Sequence, residues 1–411
     1  MDIKNKSIVI GTMITSGSAI GAGMFTLPII SSGMWFPLAF ISMLLIWLVS
    51  YLSSLMILEI CLEYPSGSSF NTFVSDILGK TWSVVMGLSV CFMLYILLYA
   101  YFSAFGNMAV HTFGLVETKS NVWLQGGLGL SLGLLLAVAV WISTFFVGRI
   151  SIVLVVAMVI SFVIAMSGGI SNISMTILFD QNTKSANYFS YLWIGLPYFI
   201  TSFGFSSVVP SLYKYYGKDS FKIKNSLFYG SLIALITYLV WIATSFGIIP
   251  RFEFTAINEA GGNMGDLVSV LEQKIGNSAI QSALVFFSNF AIISSFLGVG
   301  LSLFDYLADR FNFDGSNKGR FYTAAITFLP PGIASFFYPD GFIAAIGFAG
   351  LFLFIAFFLI PFLMIWTKRS KVFSSHYRMS GGKALLIFVL IVSTTTAVCH
   401  VLGMINYLPR F

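Results

Sequence analysis

The sequence predicts an all-α polytopic membrane protein with 11 transmembrane helices, and three observations predict it. Hydrophobic residues make up 58% of the 411 residues and charged residues only 9%, against roughly 25% charged in soluble globular chains. The charges are spaced so that the stretches between them reach the roughly 20 residues needed to cross a hydrocarbon core. The basic residues fall in alternate loops, as the positive-inside rule requires. Mean hydropathy is +0.93, so lipid must be the solvent. The 43 phenylalanines then supply lipid-facing surface rather than a cofactor box. A net charge of +6 would suggest nucleic acid in a soluble protein. Here the bases sit in short loops and read as topology determinants, so no nucleic-acid partner is expected. No motif calls for a cofactor or a metal.

The spans follow from the gaps between charges. Lys6 to Glu59 holds no charge and is too long for one crossing. Ser31-Ser32-Gly33 with Pro37 offers a turn in its middle, giving spans 1 and 2. The apolar run after Lys4 and Lys6 is longer than a signal-peptide core of about 7–15 residues, so it reads as a retained first helix. Spans 3 to 11 lie between Lys80 and Glu117, Lys119 and Arg149, Arg149 and Asp180, Lys184 and Lys214, Lys224 and Arg251, Lys274 and Asp305, Arg320 and Asp340, Asp340 and Lys368, and Lys383 and Arg410.

Alternating from a cytoplasmic N-terminus tests this count. Inside fall Lys4, Lys6, Lys80, Arg149, Lys214, Lys218, Lys222, Lys224, Arg310, Lys318, Arg320, Lys368, Arg369, Lys371, Arg378 and Lys383. Outside fall Lys119, Lys184, Arg251, Lys274 and Arg410, a split of 16 to 5 that supports both count and orientation and places the C-terminus outside. The acidic stretch from Arg251 to Asn277 reads as a solvated loop with a short helix. Residues 1–411 form one transmembrane unit. Cys61, Cys91 and Cys399 lie far apart in apolar sequence and read as buried thiols.

Two spans carry helix-breaking grammar. Span 1 has Gly17, Gly21 and Gly23 before Pro28, with Ala19, Ile20 and Ala22 between them. Span 6 reads Thr201-Ser202-Phe203-Gly204-Phe205 and then Pro210. Each opens a block of five spans, about 7–168 and about 188–367, with an extra span at about 384–407. Five is odd, so the blocks have inverted topology. Paired interruptions at matching positions of inverted halves point to a secondary transporter's binding site. Half-helix N-termini offer N–H groups to a carboxylate, and unwound carbonyls face an ammonium or a cation. An amino-acid zwitterion matches both.

Depth matching adds Tyr95 and Tyr99, on one face of span 3, and Asn289, Ser294 and Ser295 in span 8. These groups either line the site or bond helix to helix. The substrate ring is expected between Phe203 or Phe205 and the span 3 tyrosines. Two acids interrupt the apolar pattern, Glu59 in span 2 and Asp305 in span 8. Either is a functional candidate or an interfacial acid paired with loop bases. Glu59 follows a long charge-free run with no base before Lys80, so it is the first choice for proton coupling. His111 and His376 lie at loop edges and His400 stands alone in span 11, so no enzyme constellation appears. A channel is the remaining alternative.

Several segments together resemble the bacterial aromatic amino-acid permeases, the tyrosine- and tryptophan-specific branch of the hydroxy/aromatic amino-acid permeases. They are Ala19 to Phe25 with Pro28, Thr201 to Phe205, Ser294 to Val299 with Leu303 to Asp309, Ala325 to Pro331, and Phe337-Tyr338-Pro339. The likeness is strongest to the tyrosine-specific members. It implies a LeuT-type inverted-repeat fold in the bacterial inner membrane. It also implies proton-driven uptake of tyrosine, with tryptophan or phenylalanine as further substrates. The substrate would lie at Ala19 to Gly23 and Thr201 to Phe205. Gly17, Ile20, Ser294 and Ser295 would occupy the cation site of sodium-coupled relatives. Some proton-coupled relatives place a span 5 lysine there; Ile150 to Ser167 has none, which leaves proton or sodium open.

Overall fold

A computed structural model describes residues 6–65, 70–115, 122–181, 187–259, 261–370 and 377–411. Lys4, Lys119, Lys184, Lys371 and His376, used above, lie outside the described residues. The described chain is helical, with no strand. Apolar side chains cannot satisfy backbone groups in lipid, and a helix meets that demand within one segment.

The principal helices are α1 (Ile8–Ala19), α2 (Thr26–Ser31), α3 (Trp35–Cys61), α4 (Lys80–Thr112), α5 (Val122–Ile142), α6 (Thr144–Ser171), α7 (Leu192–Ser202) and α8 (Val209–Tyr216). There follow α9 (Ser220–Ile248), α10 (Ser278–Phe311), α11 (Asn317–Phe337), α12 (Phe342–Phe354), α13 (Ile360–Ser370) and α14 (Gly382–Met404). Among the described residues nine helical stretches are long and apolar enough to cross a membrane. The pair α1 and α2, bent by 51°, makes a tenth. The expected span 9 is present as the 21-residue α11. Pro330 and Pro331 and the bases Lys318 and Arg320 keep it less apolar than the others.

Ser32, Gly33 and Met34 form the turn between α2 and α3 where the sequence placed it. The Arg251–Asn277 stretch differs from expectation. It forms two helices, Glu253–Glu259 and Met264–Lys274, and the second buries Met264, Leu267, Val268 and Leu271 against the bundle. Its acids are paired rather than free: Glu253 with Lys274 at 2.8 Å and Glu272 with His111 at 2.8 Å. Cys61 and Cys399 are buried as expected, while Cys91 is partly exposed.

Prolines inside helices explain several side-chain contacts. Pro330 has no N–H for the carbonyl of Ile326, and the Tyr95 hydroxyl donates to that carbonyl at 2.7 Å. Pro361 likewise leaves the Phe357 carbonyl open within the π-helical turn Ile355–Leu359 that joins α12 to α13. The Ser53 hydroxyl of α3 donates to it.

The two ends of the bundle are distinct. On the end that carries Lys6, Tyr216 donates to the Ser7 carbonyl and Tyr213 to that of Tyr64. Glu59 and Arg369 meet on helices that end there. On the opposite end Arg251 donates to the Gly33 carbonyl at 2.8 Å and packs over the rings of Tyr188 and Phe411.

Candidate functional site: two helix breaks joined by one hydroxyl

The span 1 break lies between α1 and α2. α1 stops at Ala19, Gly21 is fully extended, and a 3-10 turn from Ala22 to Phe25 leads into α2. The span 6 break lies between α7 and α8. α7 stops at Ser202, Phe203 leaves helical geometry, and a 3-10 turn from Gly204 to Val208 leads into α8. Pro210 in the first turn of α8 suits a new helix start. Both stops fall where the Gly/Pro grammar placed them.

The two breaks meet. The Tyr238 hydroxyl of α9 lies 2.6 Å from the Ala19 carbonyl and 2.9 Å from the Ser202 carbonyl. These are the last carbonyls of α1 and α7, which lack a further turn of their own helix to supply N–H groups. On the other side of the span 1 break, the Ala22 N–H donates to Ser295 Oγ of α10 at 3.0 Å. A side chain on Gly21 would meet that oxygen at 2.6 Å, so glycine is needed for the close approach. A side chain on Gly17 or Gly23 would enter open space.

The expected residues divide accordingly. Ala19, Gly21, Ala22, Ser202, Phe203 and Ser295 come together around Tyr238 and the span 1 break. Ile20 caps α1, and its N–H bonds the Ser16 carbonyl at 2.8 Å. Thr201 ties α7 to α12 by donating to the Ile346 carbonyl at 3.1 Å. Gly204 faces Leu353 of α12, and Phe205 is fully buried. Ser294 turns back to the Ala291 carbonyl of its own helix, and Asn289 likewise to that of Val285.

Three expectations are corrected. Tyr95 and Tyr99 do not face the breaks. Tyr95 bonds the Ile326 carbonyl of α11, and Tyr99 bonds the Tyr338 carbonyl just beyond it, at 2.7 Å each. The substrate ring therefore has no slot between them and Phe203, whose ring packs edge-on against Tyr238 at 5.2 Å. Glu59 is not partnerless. Arg369 grips it with two hydrogen bonds of 3.0 and 2.6 Å, and the Met379 N–H adds one of 2.8 Å. Asp305 is exposed and lies ten residues along α10 from Ser295, about 15 Å of helix rise.

Sequence reasoning missed Tyr238 and Tyr101. Tyr101 sits two positions beyond Tyr99, about 200° around the helix, fully turned into the bundle with its hydroxyl toward Ser295. The depth matching applied to spans 3 and 8 would have found Tyr238 had it been applied to span 7. A buried aromatic cluster of Phe25, Trp241 and Phe287 continues from Tyr238 along α9. A cavity of about 570 Å³ opens on the Arg251 end, walled by Tyr191, Tyr198, Phe348, His400 and Asp340. Tyr198 is one helical turn before Ser202, so the cavity approaches the span 6 break.

Paired helix breaks at the centre of a bundle of membrane-length helices, fitted to groups of both charges, define a multi-pass permease. The chain belongs to the tryptophan/tyrosine permease family, whose model matches residues 4–400. It is 44% identical over 409 residues, 99% of this chain and 97% of the relative, to the tryptophan-specific transport protein of Pseudomonas aeruginosa. It is 38% identical to the low affinity tryptophan permease of Escherichia coli, over 99% of this chain and 98% of that one. It is 37% identical to the tyrosine permease of Enterobacter agglomerans, over 98% and 97%. Within the family, the tryptophan-named relatives thus share more identity with the chain than this tyrosine-named one.

Proposed function

We propose that this chain is a secondary active transporter that imports tryptophan, with tyrosine as a second substrate, by proton symport across the bacterial inner membrane. The order of substrates follows the names of its more similar relatives. The fold is an 11-helix, LeuT-type five-plus-five inverted repeat with α1–α2 and α7–α8 as its broken first helices. The N-terminus faces the cytoplasm and the C-terminus the periplasm.

The observation that carries this reading is the meeting of the two breaks at Tyr238. The C-terminal ends of α1 and α7 bring carbonyls and negative dipole ends to one point, where an α-ammonium is favoured. The N–H groups that follow Gly21 open the second half of span 1 and suit the α-carboxylate. Small residues at Gly17 and Gly23 leave room beside them. The cavity walled by Tyr198 and Phe348 is the entry path for an aromatic side chain.

Sodium at Gly17, Ile20, Ser294 and Ser295 is the competing form of coupling, since α6 holds no lysine from Ile150 to Ser167. Reconstitution into proteoliposomes tests both. Labelled tryptophan should accumulate when a pH gradient is imposed, saturate, and be displaced by tyrosine. Accumulation only with a sodium gradient moves the coupling to the serine site. Unsaturable flux or no uptake overturns the transporter reading.

A further inference from the structure

We infer that Tyr238 is a positioning residue that builds the receptor for the substrate's α-ammonium out of the two helix breaks. The inference rests on the proposed transport of an aromatic amino acid and names the group that sets the amine end of the site.

The argument is a count of protons. The Tyr238 hydroxyl carries one hydrogen and faces two carbonyls, at 2.6 Å from Ala19 and 2.9 Å from Ser202. One O–H satisfies one carbonyl well at a time, so the set is one donor short. Both carbonyls end helices, where the negative dipole ends add to the demand for a donor that carries positive charge. A primary ammonium supplies that donor. A carboxylate, a neutral indole ring or a halide does not answer it. The hydroxyl also fixes the spacing of the two carbonyls, which come from half-helices of opposite inverted repeats. Without it, nothing in this contact holds Ala19 and Ser202 at the separation a single nitrogen can bridge.

The surroundings keep the hydroxyl in place. Tyr238 is fully buried, and the Phe203 ring packs edge-on against it at 5.2 Å. Phe203 directly follows Ser202, so the residue that breaks α7 also holds the tyrosine that bonds the end of α7. The substrate then binds between two preset carbonyls rather than gathering them, which lowers the ordering cost of recognition.

The test is a competition assay on purified protein with three probes: tryptophan, indole-3-propionate, which lacks the amine, and tryptamine, which lacks the carboxylate. Tyr238→Phe removes one oxygen and leaves the ring. It should weaken tryptophan and tryptamine about tenfold each and leave indole-3-propionate unchanged. A selective loss of that kind is not what a purely structural role would give. Equal weakening of all three probes, or of none, overturns the inference. If Tyr238→Phe is not recovered folded, Phe203→Leu takes its place, since it frees the tyrosine ring while keeping the hydroxyl. A loss of about threefold confined to the two amines is then expected, and an unselective or absent loss overturns the inference. Wild-type protein that binds none of the probes would instead sink the proposed function, and this inference with it.

Discussion

Gly23 and Glu59 show how the same kind of residue-level signal can lead to opposite outcomes. A side chain on Gly23 would enter open space at the span 1 break, and its backbone sits beside the N–H groups that face the break. Gly23→Leu should therefore fold and reach the membrane at near wild-type level, while its uptake falls at least tenfold. Uptake kinetics normalised to surface expression would check this, and wild-type kinetics would remove Gly23 from the site. Glu59 had the sequence signature of a coupling acid, yet its side chain is 3% exposed and paired with an Arg369 side chain that is 6% exposed. Removing one partner of a buried pair strands the other charge at a cost of about 3 kcal/mol or more. Glu59→Gln should thus lower the unfolding free energy by about that amount. The folded fraction should still accumulate substrate under a pH gradient. Normal stability with lost accumulation would restore Glu59 as the coupling group. The sequence could not reveal the pair, because 310 positions separate its members.

At the scale of elements, the structure pairs each disrupted helix with a side chain that repairs it. Tyr238 repairs the ends of α1 and α7, Tyr95 serves the carbonyl freed by Pro330, and Ser53 serves the one freed by Pro361. Tyr95→Phe should destabilise the protein by about 1–3 kcal/mol, the usual result of orphaning a buried acceptor. In a Pro330→Ala background the new N–H can bond Ile326 itself, so the same substitution should cost much less. Thermal unfolding of the four variants of this cycle measures the coupling, and simple additivity would refute the repair role. Both breaks were legible because glycine and proline act locally on the backbone, and so was the turn at Ser32 to Met34. The facing of Tyr95 and Tyr99 was not, since helical spacing tells which residues share a face but not which neighbour that face meets. The packing of the Met264–Lys274 helix was hidden for a related reason: its acids Asp266 and Glu272 suggested solvent, while its apolar face is buried against the bundle.

Across the whole molecule, the exposed residues of the broken helices suggest which path is open. Most exposed side chains on the bundle are large and apolar, as lipid contact demands. On the Lys6 side of the breaks, Gly17 and Ser18 of α1, Ser207 in the span 6 turn, and Gly298 and Ser302 of α10 are exposed instead. These are small or hydroxylated groups on three segments that converge on the breaks, which is the character of a water path rather than a lipid face. The proposed orientation puts this path on the cytoplasmic side, with the cavity at Tyr198 and Phe348 on the other. In a variant without Cys61, Cys91 and Cys399, Ser18→Cys and Ser207→Cys should each react with a charged maleimide added from the cytoplasmic side. The same reagent added outside should leave them untouched. A thiol facing lipid stays protonated and unreactive, so reaction alone separates water from hydrocarbon. Saturating tryptophan should slow both reactions at least threefold, because the substrate would fill the breaks where the path ends. Thiols that react from neither side would make this surface lipid-facing. Thiols that react equally from both sides, with no protection by substrate, would describe an open pore and contradict alternating access.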